Sequence, residues 1–130
     1  MNVLVVCATD YPDMDAVKAR LAKGQATEHT TWIRSGDRLL KGMLDEMDGR
    51  YEVATPDKEM YGAGARVARD NMLVNDMDFI IVFHTTKSGV TKYFVDKARE
   101  YPYSLMYGKK IEVNEKAGKA RRPAKRRVIE

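Results

Sequence analysis

Cysteine is nearly missing: Cys7 stands alone in a chain of 130 residues. A lone thiol excludes an internal disulfide, and with it the stapled scaffolds of small secreted domains; it points to a reducing compartment. Long apolar runs are missing too. Nothing approaches the ~20 residues of a membrane helix. The opening Met1-Asn2-Val3-Leu4-Val5-Val6 lacks the basic flank and the length of a signal peptide. A cytoplasmic protein with no membrane partner is therefore expected. Histidine is limited to His29 and His84, too scattered to make a recognisable zinc site with one cysteine. Neither a metal nor a cofactor is expected. No G-x-S-x-G, no P-loop sequence and no internal repeat occurs. What remains is ordinary for a globule, with 44% hydrophobic and 32% charged residues, which excludes collagen and a wholly disordered chain. The length suits one domain with a real core.

The net charge of +4 is unevenly spread. Residues 109–130 hold nine Lys/Arg against three Asp/Glu, a surplus of +6, so the preceding part is slightly acidic at −2. The expected organisation is a domain over residues 1–108 followed by a basic, flexible tail over 109–130. Nucleic-acid-binding folds usually carry their basic stripe on the folded face. Here the cations that could meet phosphates electrostatically are in the tail: Lys119, Arg121, Arg122, Lys125, Arg126 and Arg127. No aromatic residue is interleaved with them, so base stacking is not suggested, and a solubilising tail fits the same composition.

Strands and helices alternate. Residues 3–6 and 79–83 are continuous apolar runs, the pattern of strands buried on both faces of a parallel sheet. Shorter strands are predicted at 30–33, 51–54 and 103–106. Between them fall helical patterns: Met14, Val17 and Leu21; Leu39, Leu40, Met43, Leu44 and Met47; Val67, Met72 and Leu73; and Val90, Phe94 and Ala98. The order β-α-β-α-β-α-β-α-β predicts a Rossmann-like three-layer α/β fold. Its five-stranded sheet should be mostly parallel, with helices on both faces. Ligands of such sheets sit beyond the carboxyl ends of the strands where the strand order reverses. The first and fourth strands should flank that crevice, which directs attention to residues 7–13, 34–37, 55–57 and 84–91.

The last of these loops, Lys87-Ser88-Gly89-Val90-Thr91-Lys92, opens a helix after a buried strand. Free N–H groups, small residues and flanking lysines suit a phosphate there. A plain Ser88 or Thr91 N-cap explains the same residues. Arg34-Ser35-Gly36-Asp37-Arg38 has the same placement, and its arginine forks suit phosphate oxygens; a capping turn is the alternative. Cys7, at the end of a buried strand, reads as a small core residue. His84 falls at the crevice mouth or in a supporting role. Arg66, Arg69, Asp70 and Asn71 form a polar cluster, read as a solvated face with an Arg66–Asp70 pair.

Three stretches resemble a known family. Val6-Cys7-Ala8-Thr9-Asp10-Tyr11-Pro12-Asp13, with Asp15-Ala16-Val17, looks like an opening strand, a Gly-Ser-Arg-Asp-Trp loop and a first helix. Residues 62–83 look like a helix with a Pro-x-Arg-Asn-x-x-Met pattern before an apolar strand. Met72 matches, and the Arg-Asn pair falls on Ala68-Arg69 or Arg69-Asp70. Lys87-Ser88-Gly89-Val90-Thr91-Lys92, with Val95-Asp96 and Ala98-Arg99, looks like a Ser-Arg/Lys-Gly-Thr loop and its helix. Over residues 2 to about 107 the chain thus resembles the SLOG superfamily. These are the Rossmann-like nucleotide-binding domains of DprA-type DNA-processing proteins and LOG phosphoribohydrolases. The small single-domain bacterial and phage members are the most similar. The chain departs from the family at Thr31-Trp32-Ile33-Arg34-Ser35-Gly36-Asp37, where a Gly-Gly-x-x-x-Gly-Ala-Asp turn is usual. It also has Tyr93, Phe94 and Val95 where the LOG enzymes carry a Glu.

Strand-end placement and resemblance together imply a nucleotide or nucleotide-derived ligand between strands one and four. Thr9 and Asp10 would meet the base or sugar. Arg34, Ser35 and Gly36 would approach phosphate from the second loop, and Ser88, Gly89 and Thr91 from the fourth, with Asp37, Arg69, His84 and Lys87 adjoining as ligand-binding residues. The enzymatic alternative is N-glycosidic hydrolysis of a nucleoside monophosphate, for which Asp10 and Asp37 are the loop acids in place. Further alternatives are DNA or RNA association through the tail and an inert interaction module. The family's habit of self-association implies a homodimer.

Overall fold

The computed structural model describes residues 1–100 and 110–118. Five strands, β1 (Asn2–Cys7), β2 (Thr30–Arg34), β3 (Glu52–Ala54), β4 (Phe79–Thr85) and β5 (Lys110–Lys116), form one sheet in the order β3-β2-β1-β4-β5. Every pairing is parallel. The helices are α1 (Met14–Gln25), α2 (Arg38–Glu46), the single turn α3 (Lys58–Tyr61), α4 (Ala65–Asp76) and α5 (Gly89–Glu100), with a 3₁₀ turn at Gly62–Gly64. This is the expected Rossmann-like α/β architecture.

Side chains of a strand alternate between faces, and β1 shows both faces buried. Val3, Val5 and Cys7 pack with Ile81 and Phe83 under Val17 and Leu21 of α1 and Leu40 and Leu44 of α2. Leu4 and Val6 pack with Ile80 and Val82 under Leu73 of α4 and Phe94 and Val95 of α5. That two-sided burial is why β1 and β4 carry unbroken apolar runs, and β1 pairs with β4 from Val3–Phe79 to Cys7–Phe83. The strand order reverses there, with β2 and β3 on one side and β5 on the other. Tyr11 seals the loop after β1 onto the core, its ring edge-on to Phe83 with centroids 5.3 Å apart. Aspartates cap the next turns: Asp13 accepts from the Ala16 N–H, Asp37 from Leu40 and Asp57 from Met60.

Three expectations need correction. The strand predicted at residues 103–106 lies outside the described residues; β5 is Lys110–Lys116, inside the stretch read as a flexible tail. It is an edge strand. Ile111 packs on the core while Glu112 pairs with Arg20 of α1 at 3.2 Å, and the charges that protect an edge imitate tail composition. On α4, the buried face is Ala65, Arg69, Asp70 and Leu73, whereas Val67 and Met72 are 62% and 52% exposed. On α5, Thr91, Phe94 and Val95 are buried and Val90 is exposed. Both stripes are rotated because polar residues occupy inward positions that an apolar count skips.

Candidate functional site

A cleft of about 1190 Å³ opens beyond the carboxyl ends of β1, β2 and β3. Cys7 and Thr9 reach it from β1, and residues 34–39 from β2 and the start of α2. Residues 55–59 close the third side, Arg66 and Arg69 come from α4, and Val90 from α5. The turn after β2 is held open by Gly36 at φ +86°. A Cβ there would meet nothing within 4 Å, so the glycine serves the backbone conformation rather than crowding.

The floor is a buried charge cluster. Arg34 clamps Asp70 through two parallel bonds, Nε to Oδ1 and Nη2 to Oδ2, each 3.1 Å. Arg69 donates Nε to the same Oδ1 at 3.1 Å and Nη1 to Ser35 Oγ at 3.0 Å and the Ala54 carbonyl at 3.4 Å. Arg69 is only 7% exposed. The Arg34 guanidinium carbon lies 5.5 Å from the centre of the Phe94 ring. Two guanidiniums thus share one carboxylate, leaving a buried positive surplus. Among the described residues, neither Nη1 of Arg34 nor Nη2 of Arg69 meets a protein acceptor. Burial presses the Arg69 pKa down and Asp70 opposes it; arginine stays charged regardless. Around this floor, Arg38, Lys58 and Arg66 join Arg34 and Arg69 against Asp37, Asp57 and Glu59, so the lining is net cationic.

The cleft gathers Thr9, Arg34, Ser35, Gly36, Asp37 and Arg69 of the predicted set. The others have different neighbours. Asp10 accepts a 2.6 Å hydrogen bond from Thr85 Oγ1. Thr91 is fully buried, with Oγ1 2.6 Å from Nδ1 of the buried His84. Ser88 Oγ accepts from the Thr91 N–H at 3.4 Å, an N-cap geometry. Lys87 and Gly89 lie outside the lining residues. Arg121, Arg122, Lys125, Arg126 and Arg127 are beyond the described residues. Trp32 packs on the α4–α5 face and donates Nε1–H to Asn2 Oδ1 at 3.2 Å, towards the opposite end of the sheet. The expected Arg66–Asp70 pair does not form, because Asp70 turns inward to Arg34 and Arg69, and Arg66 is left at the cleft wall. Lys58 and Glu59 went unassigned by sequence reading. The signal for the floor is the inward stripe Ala65-Arg69-Leu73, which places a guanidinium where an apolar residue is normal.

The cleft's acids and thiol differ in character. Burial pushes the Cys7 thiol up to about 12, with Asp37 and Asp10 adding to the rise, so it stays protonated and is no nucleophile. Burial raises the Asp37 carboxyl as well, against the downward pull of the Leu40 N–H and Arg34. A raised folded-state pKa means the fold prefers the neutral acid. The stability this contributes is present below the ordinary carboxylate pKa and is lost as pH rises through the raised value. Asp37→Asn keeps an N-cap acceptor and removes the charge. Its melting temperature should exceed that of the parent at pH 7, and the gain should shrink towards pH 4. An equal change at both values would mean that the charge is not what matters.

Among the described residues no three of His, Cys, Asp and Glu converge as metal ligands, and no helix is long and apolar enough to cross a membrane. Comparison with protein-family models, with curated proteins and with solved structures finds no match to this chain.

Proposed function

We propose that this protein binds a small anionic, nucleotide-like ligand in the cleft beyond β1, β2 and β3. One observation carries the reading: Arg34 and Arg69 share Asp70 beneath a cleft of about 1190 Å³, each with a donor that meets no acceptor among the described residues. Planar guanidinium forks suit phosphate oxygens, and the volume is of the size that holds a small ligand. The phosphate then rests on arginine side chains rather than on a helix N-terminus, since Asp37 already occupies that of α2 and Ser88 that of α5. The SLOG resemblance supports the same class of ligand, with Arg69 falling within the family's Arg-Asn pair whether that pair is set on Ala68-Arg69 or on Arg69-Asp70.

The test is a thermal-shift panel of nucleoside mono-, di- and triphosphates, followed by calorimetry on any hit. A ligand at a hundred times its dissociation constant adds ~2.7 kcal/mol to stability. Arg69→Lys keeps the charge but loses the fork, and should weaken binding about tenfold, or ~1.4 kcal/mol. The melting temperature of the unliganded variant shows whether the fold survives. No shift with any nucleotide would remove this reading.

A second reading, N-glycosidic hydrolysis of a nucleoside monophosphate, also has one observation behind it. Asp37, Asp57 and Glu59 line the same cleft as the guanidiniums, which would put carboxylates within reach of a sugar bound there, whereas Asp10 is not among the lining residues. Release of free base from nucleoside monophosphates, lost in Glu59→Gln, would support it; absence of turnover with a ligand that binds would end it.

A further inference from the structure

Residues 55–64 join β3 to α4 and close the third side of the cleft. The buried Ala54 and Ala65 anchor the two ends. Between them Pro56 is half-buried and every other residue is exposed. An isolated helical turn has no stability of its own and is normally held by packing, yet α3 buries none of its side chains. Its bonds are internal. The Asp57 carboxylate accepts from the Met60 N–H, and the Asp57 and Lys58 carbonyls accept from Tyr61 and Gly62. The turn can therefore move as one piece. Gly62 follows it at φ +55° and ψ −126°, a conformation open to glycine, with Gly64 two residues on. A Cβ on either would meet nothing within 4 Å, so these glycines serve the backbone and admit no close neighbour. Thr55–Pro56 and Gly62–Gly64 are thus two joints. Arg69 ties the floor to the first of them, with Nη1 3.4 Å from the Ala54 carbonyl. Among the described residues Lys58 and Glu59 make no ion pair, although both line the cleft. The cleft's lining contains no aromatic residue, so a base has no ring to rest on. Its volume of about 1190 Å³ also exceeds the ~300–1,000 Å³ of pockets that enclose a ligand. Tyr61 stands three residues after Lys58, on the same face of the turn. It is 45% exposed and outside the lining.

Building on the cleft reading above, we propose that residues 55–64 are a lid that swings on these joints over the bound nucleotide and lays the Tyr61 ring on its base. The arginine floor holds the phosphate whether the lid is open or shut. Closure supplies the base contact and excludes water. The lid, and not the floor, is then what separates a nucleotide from other phosphate esters.

Two measurements on the full chain test this. The probe is whichever of AMP, GMP, ADP, GDP, ATP and GTP raises the melting temperature most, with ribose 5-phosphate as the base-free counterpart. Hydrogen exchange at the amides of residues 58–64 should slow at least about fivefold when the nucleotide saturates the protein. In calorimetry, Tyr61→Ala should weaken nucleotide binding about tenfold, the loss of one base–aromatic stack, and leave ribose 5-phosphate as in the parent. Tyr61→Phe keeps the ring and should bind the nucleotide as the parent does. Tyr61 is exposed, so both variants should melt with the parent. Nucleotide binding without slower exchange at 58–64, or with Tyr61→Ala equal to the parent, would overturn the lid and leave the cleft reading standing. An equal loss of nucleotide and ribose 5-phosphate in Tyr61→Ala would overturn it as well, since the ring would then not act on the base. If no nucleotide binds, the cleft reading and the lid fall together.

Discussion

Asp70→Asn should cost about 3 kcal/mol of folding stability, because breaking a buried ion pair strands the charge left behind. Here two guanidiniums are stranded. Asp70 receives three N–H bonds from Arg34 and Arg69, and its side chain and that of Arg34 are only 12% and 15% exposed. An asparagine of the same shape keeps one acceptor and turns the other position into a donor facing a donor. The cleft admits some water, which places the expected cost at the lower end of the range for such deletions. Urea unfolding would measure it as a lower midpoint at unchanged m-value. A loss below about 1 kcal/mol would mean that solvent in the cleft satisfies both arginines. The positive floor would then be a wet surface and not a preorganised site.

Phe94→Ala should be at least as damaging, at about 3–5 kcal/mol. Phe94 is fully buried at the centre of the α4–α5 layer and stands under the Arg34 guanidinium. The substitution therefore opens a cavity and removes the ring that supports one arm of the clamp. Phe94→Leu separates the two roles, since it retains most of the volume and none of the ring. It should recover most of the stability, yet still weaken ligand binding if the ring positions Arg34. If Phe94→Leu binds the ligand as the parent does, the ring is packing only. Calorimetric affinities alongside thermal melts decide between these.

The two buried strands and the parallel sheet were legible because they follow from apolar runs; the crevice expected between strands one and four was not, since the cleft opens beyond β1, β2 and β3. Such runs record burial on two faces and little else. β5 was not legible, since an edge strand with Glu112 and Glu115 between its apolar positions has the composition of a solvated tail. The site divides along the same line. Arg34 and Gly36 stand directly at a strand end and could be found by placement. Arg66 and Arg69 sit on α4, where arginines are usually solvated; only the phase of Ala65 and Leu73 shows that Arg69 points inward. Ser88 and Thr91 illustrate the opposite failure. A hydroxyl that caps a helix and a hydroxyl that receives a phosphate have the same spacing in the sequence. Three-dimensional context alone tells them apart: Thr91 has His84 for a neighbour and Ser88 has the Thr91 N–H.

The aspartate caps have one consequence for selectivity. Asp37 and Asp57 stand at helix starts within the cleft lining, so the electropositive ends of α2 and α3 already have resident counter-ions before any ligand arrives. On the reading proposed above, an incoming anion would be turned from the backbone onto the guanidiniums of Arg34 and Arg69. Recognition on that reading would be handed from main-chain amides, which every sequence possesses, to guanidiniums that a single codon change can remove. A fold of this kind can exchange one anion for another without redrawing its loops, by trading charge between a cap and a helix face.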